Sequence, residues 1–308
     1  MLSPTGEQFT LAHGDLEATV TEVGASLRCL QHRGRNLVRP YAADEDAPLY
    51  SGAVLAPWPN RIGDGRYVFA GVEHQLPLNE PERASALHGL VVGEAWSVLG
   101  RSAEAVTLGH RVHPRPGYPH TLDLELSYRL SDAGLRIELA ATNTGDHAAP
   151  YGCSIHPYLV AGPGRVDDWT LRLPARVALD VDPHRLLPRG QRPAADLGID
   201  FTSPRIIGST ACDHALTDLF ADEQGRFRAS LVAADGRGVS MEWGAECPWL
   251  QLHTADRPEL EHHRTGLALE PMTCPPDAFR TGEDVVVLEP GQQHRAWWVI
   301  APVSPERS

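Results

Sequence analysis

Among the fifteen histidines of the chain, one stands in surroundings suited to acid chemistry. His156 lies in Tyr151-Gly152-Cys153-Ser154-Ile155-His156-Pro157-Tyr158, among small and apolar neighbours, and Pro157 holds the residue before it extended. An imidazole titrates near neutrality, so a His fixed at a strand end can serve as a general acid. A core histidine with its hydrogen bonds met inside the fold would look the same. Glu270 is the complementary group, in Gly266-Leu267-Ala268-Leu269-Glu270-Pro271-Met272. Alternation puts it on the face of Ala268, opposite Leu267 and Leu269, and Pro271 is expected to end the ladder there. Desolvation raises a carboxyl toward the pKa of a useful base, unless Glu270 is one half of a structural ion pair.

A second set of residues could hold a ligand. In the run Trp249 to His253, Leu250 and Leu252 take one face while Trp249, Gln251 and His253 share the other. An aromatic beside polar side chains offers a sugar ring a stacking surface and hydrogen bonds, although a half-buried outer face has the same pattern. Asn60-Arg61 follows the rigid apolar turn Ala56-Pro57-Trp58-Pro59, so Arg61 is either held in place or a plain surface Arg. His88-Gly89 and Asp213-His214 are short signals that surface turns also produce. His262-His263 and the group His110, His113 and His120 read as solvated surface, and their spacing matches no common metal site. The chain has no P-loop, no G-x-S-x-G and no H-E-x-x-H.

The elements that must position these groups are short strands. Leu122, Leu124, Leu126, Tyr128 and Leu130 alternate with polar residues, Ser131-Asp132-Ala133-Gly134 supplies a turn, and alternation resumes at Leu135, Ile137 and Leu139. This is an antiparallel hairpin with one buried face. Similar runs recur at Glu17 to Leu27, Arg66 to Ala70, Val98 to Val112, Trp169 to Leu173, Phe227 to Val232, Val239 to Trp243 and Gln293 to Ile300. A dozen-residue amphipathic helical pattern free of Gly and Pro is absent, which also removes the α/β setting that a dinucleotide fingerprint needs. The expectation is an all-β chain: one large antiparallel sandwich domain over residues 1–308 with few or no long helices. Pro174 to Asp200, rich in Pro and Arg, reads as a long functional loop.

Composition narrows the chemistry. The 28 Gly and 26 Pro among 308 residues suit many turns and argue against a coiled coil or helical bundle. All 27 basic residues are Arg, so Schiff-base lysine chemistry is excluded. A net charge of −13 makes a nucleic-acid partner unexpected, although one local basic pocket remains possible. No run of 18 apolar residues is present, so no membrane partner is expected, and the N-terminus carries no signal-peptide pattern. Cys29, Cys153, Cys212, Cys247 and Cys274 are odd in number and form no C-x-x-C pair, which suggests free thiols in a reducing cytoplasm.

Taken in order, the motifs resemble the aldose 1-epimerases, or galactose mutarotases, over nearly the whole length. The resemblance is carried by Val23-Gly24-Ala25-Ser26-Leu27, Asn60-Arg61-Ile62-Gly63-Asp64-Gly65-Arg66-Tyr67, Leu76-Pro77-Leu78-Asn79, Leu87-His88-Gly89, His156-Pro157-Tyr158, Asp213-His214, Gln251-Leu252-His253-Thr254 and Leu269-Glu270-Pro271. It implies a β-supersandwich with an open sugar cleft on one sheet and no cofactor or metal. It also implies His156 as general acid, Glu270 as general base, and Asn60, Arg61, His88, Asp213 and Gln251 as holders of the sugar. The substrate class would be a free aldose such as glucose or galactose, and the protein a cytoplasmic monomer or homodimer. The chain departs from the family's usual pattern at Leu159-Val160 after the acid, at His253 where Tyr is common, and at Met272 after the base.

Three rival readings share these residues. A hexose-6-phosphate 1-epimerase would need arginines at the cleft rim, with Arg83, Arg185, Arg189 and Arg192 as candidates. A sugar-binding module could keep the cleft and lose turnover, although binding alone needs neither His156 nor Glu270. A glycosidase or lyase could use Asp213 and Glu270 as paired carboxylates, about 5–9.5 Å apart.

Overall fold

A computed structural model describes residues 3–305. The alternating pattern of the central hairpin becomes strands Leu122–Ser131 and Gly134–Asn143, paired from Leu122↔Asn143 to Ser131↔Gly134. Its apolar residues point inward and its polar ones outward, the period-two pattern of a sheet with one wet face. The hairpin sits inside a nine-stranded antiparallel sheet, between Ala105–Val112 on one side and Gln293–Val303 on the other. A six-stranded sheet runs Tyr158–Leu159, Leu267–Met272, Trp249–His253, Asp213–Leu219, Ala175–Val181 and Pro188–Pro193 in spatial order. Leu250, Leu252, Leu267 and Leu269 of this sheet share one apolar core with Leu124, Leu126, Tyr128 and Trp298 of the larger one. The fold is the expected β-supersandwich.

A four-stranded sheet, Gln8–His13 to Arg35–Asn36, packs its first strand on the hairpin strand Leu122–Ser131. Among the described residues the α-helix is a single turn, Ala278–Thr281, and no helix is long and apolar enough to cross a membrane. The five cysteines are free thiols, four buried and Cys29 half-buried.

Two sequence expectations are corrected. Pro174 to Asp200 is not a long loop: it holds strands Ala175–Val181 and Pro188–Pro193 and the turn Ala194–Leu197. Pro188–Pro193 forms the sheet's edge, where a missing N–H is tolerated and an exposed run of polar side chains gives no alternation to read. The ladder also continues through Pro271, paired with Leu250, to Met272 paired with Trp249. The neighbour on the far side, Tyr158–Leu159, reaches only Ala268 and Leu267, so at Pro271 a donor is not required there. The Pro271 carbonyl instead accepts from the Ser154 hydroxyl and the Trp298 indole.

Gly89 shows how closely backbone is packed near the cleft. Its φ is +78°, and a Cβ there would lie 2.1 Å from the carbonyl oxygen of Ala56. Gly71 has the same φ with nothing within 4 Å. Gly89→Ala should therefore cost well over the ~1 kcal/mol expected from backbone strain alone, and more than Gly71→Ala, read as a larger drop in the urea midpoint at similar m-value. Equal losses would show that the Ala56 contact is not limiting.

Candidate active site

The face of the six-stranded sheet turned away from the core carries the polar residues. Gln251 and Glu270 are direct cross-strand partners, as are Asp213 and His253, so four polar groups converge on one patch. The loops above close it into an open cleft of about 460 Å³, within the range of small-molecule sites. All seven residues singled out from the sequence, Asn60, Arg61, His88, His156, Asp213, Gln251 and Glu270, line this cleft.

His156 is fixed through its backbone, donating to the Ala53 carbonyl at 2.9 Å and accepting from the Gly52 N–H at 2.9 Å. Its ring packs between His88 and Tyr158, at 5.3 and 5.1 Å between centroids. The imidazole Nε2 lies 3.3 Å from Glu270 Oε1, with both side chains buried. The two groups proposed from the sequence as acid and base are thus neighbours in contact. Neither the other imidazole nitrogen, Nδ1, nor the other carboxyl oxygen, Oε2, has a partner among the described residues.

Burial dominates the titration of both groups. With the charge of His253 as the next cause, it lowers His156 to about 3, Asp213 only partly opposing. Burial and then the charge of Asp213 raise Glu270 well above the usual carboxylate range, against the pull of Arg61. Both shifts favour the uncharged forms, carboxylic acid and neutral imidazole. His88 is also pushed well below its usual value by burial, then by His156, Arg61 and His253.

The surrounding groups hold one another. Gln251 Nε2 donates to Asp213 Oδ1 at 2.7 Å, which leaves the Gln251 carbonyl oxygen unpartnered among the described residues. Arg61 forks onto Glu80, Nε to Oε2 at 2.7 Å and Nη2 to Oε1 at 2.8 Å, and Arg83 adds a third bond to Oε1 at 3.1 Å. Asn60 and His88 both adopt positive φ, and the Asn60 carbonyl accepts from the His88 N–H at 2.9 Å.

Sequence reasoning missed Glu80 and Tyr50. Glu80 sits nineteen positions from Arg61, and no local pattern announces the pair. Tyr50, whose ring lies edge-on to His88 with 4.7 Å between centroids, follows a left-handed Leu49 that nothing in the sequence flags. The expected stacking aromatic is not in the cleft: Trp249 is buried against Leu179, Ala215 and Met272, and its indole donates to Asp284. Of the rim arginines, Arg83 lines the cleft, whereas Arg185, Arg189 and Arg192 lie outside it, beside Asp64, Asp182 and Asp180. His120, expected on the solvated surface, is half-buried against Tyr118 and Phe69.

Comparison with known proteins gives this arrangement a context. The profile of the aldose 1-epimerase family matches residues 7–301. The chain is 36% identical over 300 residues to the uncharacterized protein YihR of Escherichia coli K12, covering 96% of this chain and 93% of that one. It is 25% identical over 334 residues to the galactose mutarotase of Sus scrofa, covering 96% and 94%. Among solved structures, the GalM/aldose epimerase homologue from C. elegans superposes with a TM-score of 0.86 at 21% identity, covering 97% of this chain and 99% of that one. At that identity the likeness speaks for the fold alone.

Two stability measurements check the electrostatics. Glu80→Ala strands the buried Arg61 guanidinium and should cost about 3–5 kcal/mol in urea unfolding, the usual penalty for a buried charge left without its partner. For Glu270, the unfolded carboxyl titrates near 4.5 while the folded one keeps its proton to higher pH. The folded state then binds more protons above pH 4.5, so this group's contribution falls as pH rises. His156 contributes the opposite slope between about 3 and 6.5, so the readout is the difference between the two proteins and not either curve alone. The Tm of Glu270→Gln relative to wild type should therefore increase from pH 5 to pH 7.5; a constant difference would mean that the carboxyl is ionised in the fold.

Proposed function

The chain belongs to the aldose 1-epimerase family, and we propose that it interconverts the α and β anomers of a free aldose of the glucose or galactose class. The observation that carries this reading is the contact between His156 and Glu270, 3.3 Å apart and buried at the base of an open polar cleft. Anomer exchange needs one group to take the C1 hydroxyl proton and another to protonate the ring oxygen. Both oxygens are bonded to the same carbon, so two side chains in mutual contact can reach both.

In the opening step the Glu270 carboxylate takes the proton from O1, and the O1 electrons form the C1=O bond. The bond from C1 to the ring oxygen breaks, its electron pair stays on that oxygen, and the His156 imidazolium supplies the proton. Rotation about C1–C2 presents the other face of the aldehyde, and the same pair with roles exchanged closes the ring. Protons balance over the cycle. The ionised pair and the neutral pair have the same total charge, so no proton need come from solvent. Ring opening converts the ionised pair to the neutral one, the form that burial favours at both residues. Each group is worth about 10²–10⁴ in rate.

Asn60, Arg61, His88, Asp213 and Gln251 hold the hydroxyls and ring oxygen in this reading. Unpartnered buried atoms on His88 and Gln251 supply hydrogen-bonding capacity at the cleft wall. A binding module without turnover would gain nothing from burying an acid against an imidazole, at a desolvation cost for both.

The test is polarimetry of freshly dissolved α-D-glucose and α-D-galactose with catalytic amounts of protein. Decay to the equilibrium rotation should exceed the buffer blank in proportion to protein. His156→Ala and Glu270→Gln should each lose at least about a hundredfold in kcat while retaining the folded circular dichroism spectrum. Activity close to wild type in either variant would remove that residue from the mechanism.

A further inference from the structure

Three guanidinium groups line the cleft, those of Arg61, Arg83 and Arg257. The first two share Glu80. Among the described residues no carboxylate lies within ion-pair distance of Arg257, and its Nε is buried without an acceptor. The adjacent Asp256 does not serve it: its carboxylate is held by Arg264 at 2.7 Å and by the Thr254 hydroxyl. Beside Arg257 stand the Tyr158 hydroxyl and His253, whose two ring nitrogens are both buried and unpartnered among the described residues. Asp213 Oδ2 is 3.7 Å from His253 Nδ1, too far for a hydrogen bond.

The position of these groups relates them to the reaction. His253 follows Gln251 by two residues on the same strand and the same face, and Gln251 is the cross-strand partner of Glu270. A two-residue step along a strand is about 6.6 Å, roughly the breadth of a hexose ring. A sugar with C1 at Glu270 and His156 can therefore bring its far side to His253 and Arg257. A hydroxyl there would leave the half-buried guanidinium without a counter-charge and its buried Nε without a strong acceptor. An anionic group would accept charge-assisted hydrogen bonds from the planar fork of Arg257, and a further one from the imidazole.

We propose that the substrate is an aldose whose carbon remote from the anomeric centre carries an anionic group, such as a carboxylate, phosphate ester or sulfate ester, received by Arg257 and His253. This rests on the epimerase reading for its chemistry, but the anion site itself can be measured by binding. Arg257, rather than the sequence-predicted rim arginines, is then the residue that sets substrate class.

The experiment compares α-D-glucose with glucuronate, glucose 6-phosphate and glucose 6-sulfate. Binding is followed by titration calorimetry and anomer exchange by NMR, for wild type, Arg257→Gln and His253→Gln. At least one anionic sugar should bind wild type roughly 10- to 100-fold tighter than glucose, the worth of one or two charge-assisted bonds. Arg257→Gln should bring that ratio close to one, His253→Gln should reduce it, and the three arms identify which anion is preferred. Equal or weaker binding of all three anionic sugars, or a preference surviving in Arg257→Gln, overturns the proposal. Exchange of glucose without an anionic preference leaves the epimerase reading standing alone. Tight anionic binding without exchange of any sugar supports the anion site and removes the enzyme.

Discussion

The site depends on two titratable groups kept in contact where water cannot keep them charged. An exposed carboxylate and imidazole near neutral pH would each be solvated separately, and neither would sense the other's proton strongly. Burial raises one and lowers the other, so the pair favours a single uncharged arrangement that differs from its ionised form only by an internal proton shift. Holding such a pair requires rigid backbone on both sides. Glu270 is set by a ladder that runs unbroken through Pro271, and His156 by backbone bonds to the Ala53 and Gly52 segment. The larger sheet contributes indirectly: its Trp298 indole bonds the Pro271 carbonyl immediately after Glu270.

The opposite wall of the cleft is built from strained turns instead of a sheet. Leu49, Tyr50, Asn60 and His88 are non-glycine residues with positive φ, and all four line the cleft. Such conformations cost energy and persist only where surrounding contacts enforce them. Those contacts are visible: the Asn60 carbonyl on the His88 N–H, the Glu80 carboxylate gripping Arg61 and Arg83, and Gly89 lying against Ala56. The cleft thus joins a regular face, which fixes the reacting groups, to an irregular one that fixes the binding groups.

This division explains what could be read from the sequence. The hairpin Leu122 to Asn143 is legible because alternation with a period of two is local, and Glu270 because a carboxyl ending an apolar run is anomalous wherever it occurs. The seven cleft residues are picked out by local signals, those at His88 and Asp213 weak in themselves, and by the resemblance that their order along the chain bears to the aldose 1-epimerases. Trp249 shows the limit. Its place on the face of Gln251 was read correctly, but Leu179, Ala215 and Met272 cover that end of the face, and the covering residues come from elsewhere in the chain. The edge strand Pro188–Pro193 was illegible for another reason: with most of its side chains exposed, neither face selects apolar residues. Glu80 escaped notice because its meaning lies wholly in the partners it meets, Arg61 and Arg83.

Charge is the property for which sequence totals and local structure diverge most. A net charge of −13 suggests an anion-repelling protein, yet repulsion from the screened surface falls off within about 10 Å at ordinary salt, whereas a cleft responds to the few charges that line it. Because the chain contains no Lys, each of its permanently charged side-chain cations is a guanidinium, which cannot relieve burial by losing its proton. An arginine drawn into a cleft therefore calls for acceptors, supplied by the fold or by something that enters, and a carboxylate is the strongest of them. Glu80 matches two of the three here. Asp256, the carboxylate next to Arg257 in the chain, is turned to Arg264 instead, so the fold has spent its nearest counter-charge elsewhere and leaves the third guanidinium for the ligand.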